Sequence, residues 1–215
     1  MSELIRVSMR QQIYDIIKKR ILSQEYDLGA PINIVALSKE LSISNTPIRE
    51  AVSMLCAEGL VVSNMNTKFR VVELTEQMMW ELNETAFIIL NGAYVCCCMD
   101  GKIDALYALL KEAFEIQRTA YQEEETNNYI QKAMAFDQCF VKVTENAKLI
   151  SVFDSLSDML FLSIRYAYQH TQMAMSQNLD EHQALLKAVK AHDNGAVQKL
   201  LFSHYDKHIC ETNKE

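Results

Sequence analysis

One stretch of this chain combines small polar side chains with a single long cation: Ser42-Ile43-Ser44-Asn45-Thr46-Pro47-Ile48-Arg49-Glu50. Apolar residues recur behind it at helical spacing, as Ile48, Ala51, Val52 and Leu55. Such a helix buries its back and presents its front. Arginine reads guanine edges by two parallel hydrogen bonds, asparagine reads adenine, and serine and threonine reach phosphate. The spacing predicts a DNA-recognition helix from about Asn45 to Glu58. Arg49 is its base reader, and Ser44, Asn45 and Thr46 are contacts to phosphate or to a base edge.

The flanking elements must hold that helix. Ser8 with Gln11 forms a capping box ahead of an apolar stripe of Ile13, Ile16, Ile17 and Ile21. Asp27 to Pro31 breaks this helix. Asn33 caps a second, short helix with Val35, Leu37 and Leu41 as core candidates. Pro47 fits the first turn of the third helix, and Gly59 fits its end. Leu60-Val61-Val62-Ser63 and Phe69-Arg70-Val71-Val72, around the polar tip 64–68, read as a β-hairpin. Three helices and a hairpin make a winged helix-turn-helix over residues 1–74. Lys68 and Arg70 on its wing face the minor groove or the backbone of a duplex.

Residues 75–215 show long helical patterns without a strand signal. Six helices are expected, over about 76–99, 103–124, 127–145, 148–175, 180–192 and 196–211. Asp100-Gly101 and Asn194-Gly195 mark two of the turns. Short connections favour antiparallel neighbours. The expected fold is mainly α: a winged helix-turn-helix followed by an all-helical antiparallel bundle.

The totals agree. Of 215 residues, 49% are hydrophobic and only five are glycine and two proline, which fits a packed helical protein. The net charge of −7 divides unevenly, +1 over residues 1–75 and −8 over 76–215. The acidity therefore belongs to the bundle, and the first part remains compatible with DNA. No uninterrupted apolar run reaches the length of a membrane span, and Met1 to Arg10 lacks the apolar core of a signal peptide. The expectation is a cytoplasmic protein without a membrane partner. Cys96, Cys97 and Cys98 lie in a helical pattern, where neighbours point about 100° apart and cannot share one metal. With Cys56, Cys139 and Cys210 they read as buried apolar residues in a reducing compartment.

Three segments resemble the GntR family of bacterial transcription regulators, in its FadR-like branch with an all-helical FCD effector domain. The first is Ile43 to Val52 with Leu55 and Glu58-Gly59-Leu60-Val61. The second is Gly29-Ala30-Pro31-Ile32. The third is Glu181-His182-Gln183-Ala184-Leu185-Leu186-Lys187-Ala188-Val189 with Asp193, Ala196 and His204. Six helices in the bundle match the shorter, VanR-like subgroup. The resemblance implies a homodimer on a palindromic operator, half-sites about one helical turn apart. It implies a repressor whose DNA affinity is switched by a small organic acid in the bundle. Asn45 stands where the family usually has arginine, and Lys68 where it has glycine.

The resemblance also implies a divalent metal held by one aspartate and three histidines. Asp137, His182 and His204 match three of these positions, and Val141 replaces the remaining histidine. Two readings stay open. Asp137, His182 and His204 hold zinc, nickel or manganese with an open position that the acid completes. Alternatively the metal is lost, and the cavity binds an organic effector directly. Arg165 and Tyr166, in an otherwise apolar helix, are the candidates for clamping the effector. The rival functions are a helical metalloenzyme using Asp137, His182 and His204, which lacks an evident base or nucleophile, and a protein-binding signalling adaptor.

Overall fold

The computed structural model describes residues 8–63, 68–170 and 174–210, with side chains through Tyr205. The chain divides into two compact units, Met1–Leu74 and Thr75–Glu215.

The first unit contains α1 (Met9–Leu22), β1 (Pro31–Ile32), α2 (Ile34–Leu41), α3 (Asn45–Ala57), β2 (Val61–Ser63) and β3 (Phe69–Val71). Its caps follow from the sequence. The Gln11 N–H donates to Ser8 Oγ at 3.2 Å, and the Ala36 N–H donates to Asn33 Oδ1 at 3.0 Å. Helix α3 ends with the Leu60 N–H on the Leu55 carbonyl at 3.1 Å, across Gly59 at φ +79°. That is a closing motif that glycine favours. Ile13, Tyr14, Ile17 and Ile21 of α1 meet Ile48, Ala51, Val52 and Leu55 of α3 in the core. Two expected core positions lie outside it: Ile16 is 37% exposed and Val35 55% exposed. Tyr14, two positions before Ile16, and Ile34, one before Val35, are buried instead. The hairpin gains a third strand that the sequence does not announce. Short β1 pairs antiparallel with β3, in the order β1-β3-β2. Residues 64–67, the expected tip, lie outside the described residues.

The second unit contains α4 (Glu76–Met99), α5 (Ile103–Gln122), α6 (Thr126–Lys142), α7 (Ala147–Asp154), α8 (Ser157–His170), α9 (Met175–Lys190) and α10 (Asn194–Cys210). Seven helices are described where six were expected. The stretch read as one helix from 148 divides at Ser155, whose hydroxyl bonds back to the Val152 carbonyl at 2.6 Å. Serine that competes for backbone carbonyls in this way weakens a helix at that point. The assignment to a six-helix, VanR-like subgroup therefore loses its support.

Helices α5 and α6 pack on each other, α9 packs on α5 and α10, and α10 packs on α4. Leu90, Tyr94, Leu110, Phe114, Phe136, Phe140, Leu185 and Leu201 fill the centre. Helix α4 is long and apolar enough to cross a membrane by length and composition. The sequence reading missed it because Glu81, Asn83, Glu84 and Asn91 interrupt the run. Ala86, Leu90, Ala93, Tyr94 and Cys97 of α4 are buried in the bundle core, so one of its faces is a wall of that core.

Leu55 has no exposed surface and lies where α3 meets α1. Leu55→Ala is expected to cost about 2–5 kcal/mol, read as a fall in the urea midpoint of the first unit.

Candidate functional site

Helix α3 starts at Ser44, whose backbone is extended and whose side chain makes no capping bond. Ser44, Asn45, Thr46, Arg49 and Glu50 are exposed, while Ile48, Ala51, Val52 and Leu55 have no exposed surface. Arg49 forms no ion pair with any described residue. Glu58, at the far end of α3, is engaged elsewhere. Its carboxylate oxygens lie 2.6 and 2.7 Å from the Tyr14 hydroxyl, and Lys18 Nζ is 3.3 Å from one of them. This cluster also fixes the C-terminal end of α3 against α1. Lys68 is exposed at the start of the wing strand. Arg70 is partly committed: its Nη1 donates to the Gly29 carbonyl at 2.9 Å. That bond ties β3 to the turn before β1, so Arg70 braces the wing as well as presenting charge on it.

In the second unit three elements bring Asp137 (α6), His182 (α9) and His204 (α10) together. One potential ligand atom from each lies within 4.8 Å of the other two. All three residues are buried. Asp137 Oδ1 and His182 Nε2 lie 3.6 Å apart, and neither has a hydrogen-bond partner. Two donors on one tetrahedral zinc at about 2.0–2.1 Å sit about 3.3–3.4 Å apart, so this gap is of the size an ion needs.

The imidazoles are oriented from behind. His182 Nδ1 is 2.8 Å from Gln117 Oε1, while Gln117 Nε2 donates to the Tyr129 hydroxyl and to Asn178 Oδ1, both at 3.0 Å. With its amide nitrogen so engaged, Gln117 accepts from Nδ1–H, which leaves the lone pair on Nε2. His204 Nδ1 is 2.7 Å from Glu181 Oε2, the carboxylate–histidine arrangement that raises ligand basicity at metal sites. His182 also stacks on Phe136, with ring centroids 4.2 Å apart and an interplanar angle of 12°. Burial holds the His182 pKa well below the usual imidazole range, with the neighbouring His204 acting in the same direction. Burial pushes the Asp137 carboxyl up to about 6, against the lowering effects of His204 and of a hydrogen bond from Tyr205. A neutral imidazole and a carboxylate that ionises near neutrality are both competent ligands. The residues fit a divalent metal. Bound there, such an ion would act as a Lewis acid and charge anchor for an anionic ligand. Val141 is fully buried one turn from Asp137 and belongs to the apolar core.

Two family models match the chain. One describes bacterial regulatory proteins of the gntR family and covers residues 9–71; the other describes the FCD domain and covers 98–207. This chain belongs to the GntR family and carries an FCD domain. Among GntR relatives, the HTH-type transcriptional regulator YdhC of Bacillus subtilis is 23% identical, over 95% of this chain and 93% of that one. The gluconate operon transcriptional repressor of Bacillus licheniformis is 21% identical, over 94% and 84%. A GntR transcriptional regulator from Rhodococcus sp. RHA1 has a similar fold, with a TM-score of 0.78 over 97% of this chain and 100% of that one, at 15% identity. GntR proteins are transcription regulators rather than enzymes, which answers the metalloenzyme alternative.

The FCD bundle holds a cavity beside Asp137 and His204, with Asn83, Asn178, Tyr168 and Tyr205 among its polar lining. Its volume is about 30 Å³, room for an ion and a water or two. Met134, Phe153, Leu160 and Ile164 give it an apolar wall. Arg165 lies elsewhere. It lines an outer cleft with Glu124, Glu125 and Tyr121, and only Tyr168 borders both spaces. Tyr166 lines neither cavity. It turns to His170, ring centroids 4.3 Å apart, because it lies two residues short of Tyr168 on α8 and faces another way. The expected pair at the cavity is thus corrected to Tyr168 alone, with Arg165 at the outer cleft.

Sequence reasoning missed Gln117 and Asn83. Both carried a signal: each is a polar residue in the inward register of its helix, Gln117 after Leu106, Leu110 and Phe114, and Asn83 before Ala86 and Leu90. Asp137→Asn, His182→Ala and His204→Ala should each weaken zinc binding by more than about 100-fold, and Gln117→Leu by about 10–100-fold. Competition against a chromophoric chelator reads these losses.

Proposed function

We propose that this GntR regulator is a repressor that binds a palindromic operator as a homodimer, and that a small organic acid in the FCD cavity, with one divalent metal, sets its DNA affinity. The observation that carries the DNA half is the front of α3. Arg49 is exposed there beside Ser44, Asn45 and Thr46, without an ion pair to any described residue, while the whole back of the helix is buried. In the major groove Arg49 reads guanine by two hydrogen bonds. Asn45 reads adenine or touches phosphate, and Ser44, Thr46, Lys68 and the remaining donors of Arg70 hold the backbone. Half-sites lie about one helical turn apart. The protein acts in the cytoplasm, without a membrane partner.

The acid half rests on the Asp137, His182 and His204 cluster. The two matched relatives named for regulation include one named for the gluconate operon, an operon for an organic acid. Zinc, nickel and manganese all suit two imidazoles and a carboxylate. An acid that binds one arrangement of the dimer better than another then shifts operator affinity by that difference.

The dimer half rests on α4. Ile88 is 60% exposed, Val95 39% and Met99 82%, on one stripe at spacings of seven and four. Phe202 of α10, edge-on to Phe87 of α4, is 53% exposed. An apolar helix face of this length is covered in a stable protein, and a second copy of the same stripe covers it isologously.

Two experiments test the proposal. Against a duplex selected from a random pool by the wild-type protein, Arg49→Ala should lose at least about tenfold in affinity and leave the circular dichroism spectrum unchanged. Wild-type affinity should fall steeply with salt. If Arg49→Ala binds like the parent, α3 is not the reader. Separately, Ile88→Glu with Met99→Glu should sediment as a monomer. A double variant that remains dimeric places the interface elsewhere.

A further inference from the structure

The outer cleft beside Arg165 is a second concave space in the bundle, and the metal cluster does not account for it. Its volume is about 650 Å³. Sites for small organic molecules run to about 300–1,000 Å³, so the cleft has room for one.

The charges of the cleft define what it takes. Burial lowers the Arg165 pKa, and the nearby Glu125 acts the other way. A guanidinium partly withdrawn from water is well matched by a carboxylate that meets it with two parallel hydrogen bonds. Two acids line the same cleft. Glu125 is committed to capping α6: its carboxylate oxygens accept from the N–H groups of Asn127 and Asn128. Glu124 is exposed and makes no hydrogen bond or ion pair with any described residue, so Arg165 does not neutralise it. A simple anion would meet carboxylates as well as the arginine, and a simple cation would meet the arginine. A zwitterion satisfies both. The wall is aromatic. Tyr121 and Tyr168 line the cleft, and their ring centroids lie 5.9 and 6.3 Å from that of the buried Tyr129. Rings in such a cluster favour a further ring, offset or edge-on.

We propose that the outer cleft is a second ligand site, separate from the Asp137, His182 and His204 cluster, and that it takes an aromatic α-amino acid. The carboxylate lies on Arg165, the ammonium on Glu124, and the ring against Tyr121 and Tyr168. The site has a route to the cluster. Tyr168 borders both spaces. The Tyr129 hydroxyl accepts from Gln117 Nε2 at 3.0 Å, and Gln117 Oε1 is 2.8 Å from His182 Nδ1.

The test uses the full-length protein stripped of metal by chelator, titrated by calorimetry with three probes. They are L-phenylalanine, 3-phenylpropionate, which lacks the ammonium, and 2-phenylethylamine, which lacks the carboxylate. Wild type should bind L-phenylalanine at least about tenfold more tightly than either analogue, the worth of one charge-assisted hydrogen bond. Arg165→Gln should lose the preference over 2-phenylethylamine, and Glu124→Gln, at an exposed turn, the preference over 3-phenylpropionate. Both variants should keep the wild-type circular dichroism spectrum. A wild type that binds none of the three, or binds either analogue as tightly as L-phenylalanine, overturns the proposal. So do variants that keep both preferences, and binding that appears only after zinc is restored, which would place the ligand at the metal cluster instead.

Discussion

The bundle of this GntR regulator is organised around two lone pairs that face each other in its buried interior. Asp137 Oδ1 and His182 Nε2 stand 3.6 Å apart with no donor of their own. Each such group, buried and unpaired, costs about 1–3 kcal/mol. Everything nearby enforces the confrontation. Gln117 accepts a hydrogen bond from the His182 Nδ1–H, Phe136 fixes its ring by stacking, and Tyr205 donates to Asp137. Gln117 is itself held by Tyr129 and Asn178. A cation between the two atoms removes the penalty, and a fold this committed to an unfavourable pair gains most from binding one.

The same logic links the site to regulation. Helices α5, α6, α9 and α10 each contribute a side chain to the cluster or to its support. An occupant therefore bears on four helices at once. The DNA-reading unit follows an opposite design. Its recognition front carries no buried polar group. Its positioning comes from the apolar back of α3 and from Glu58, anchored to Tyr14 and Lys18. One unit is specified by packing, and the other leaves polar atoms unsatisfied where a ligand is expected.

The sequence made some of this legible and hid the rest for physical reasons. Helix α3 was readable to within a residue because a polar front, a 3.6-residue apolar back, Pro47 at its start and Gly59 past its end all agree. Strand β1 was not, because two residues carry no periodicity. The break at Ser155 was hidden because apolar residues continue on both sides of it. Asp137, His182 and His204 were named through the family pattern, and the structure brings them together. Their supports were not named. Gln117 touches the cluster from α5, and Tyr205 of α10 reaches Asp137 on α6; such proximity is a product of tertiary packing. Tyr166 was named for the cavity that Tyr168 lines, because the sequence does not give the packed rotation of α8 that separates them. Val141 was legible as a departure, and in the fold it is simply part of the apolar core.

The central claim is that the occupancy of the Asp137, His182 and His204 cluster sets DNA affinity. Fluorescence anisotropy on a selected operator, with wild type and His182→Ala each stripped by chelator and then reloaded with zinc, tests it most directly. The account predicts that reloading changes the wild-type dissociation constant by at least about fivefold and leaves that of His182→Ala unchanged. Identical operator affinity for stripped and reloaded wild type, at matched ionic strength, would contradict it.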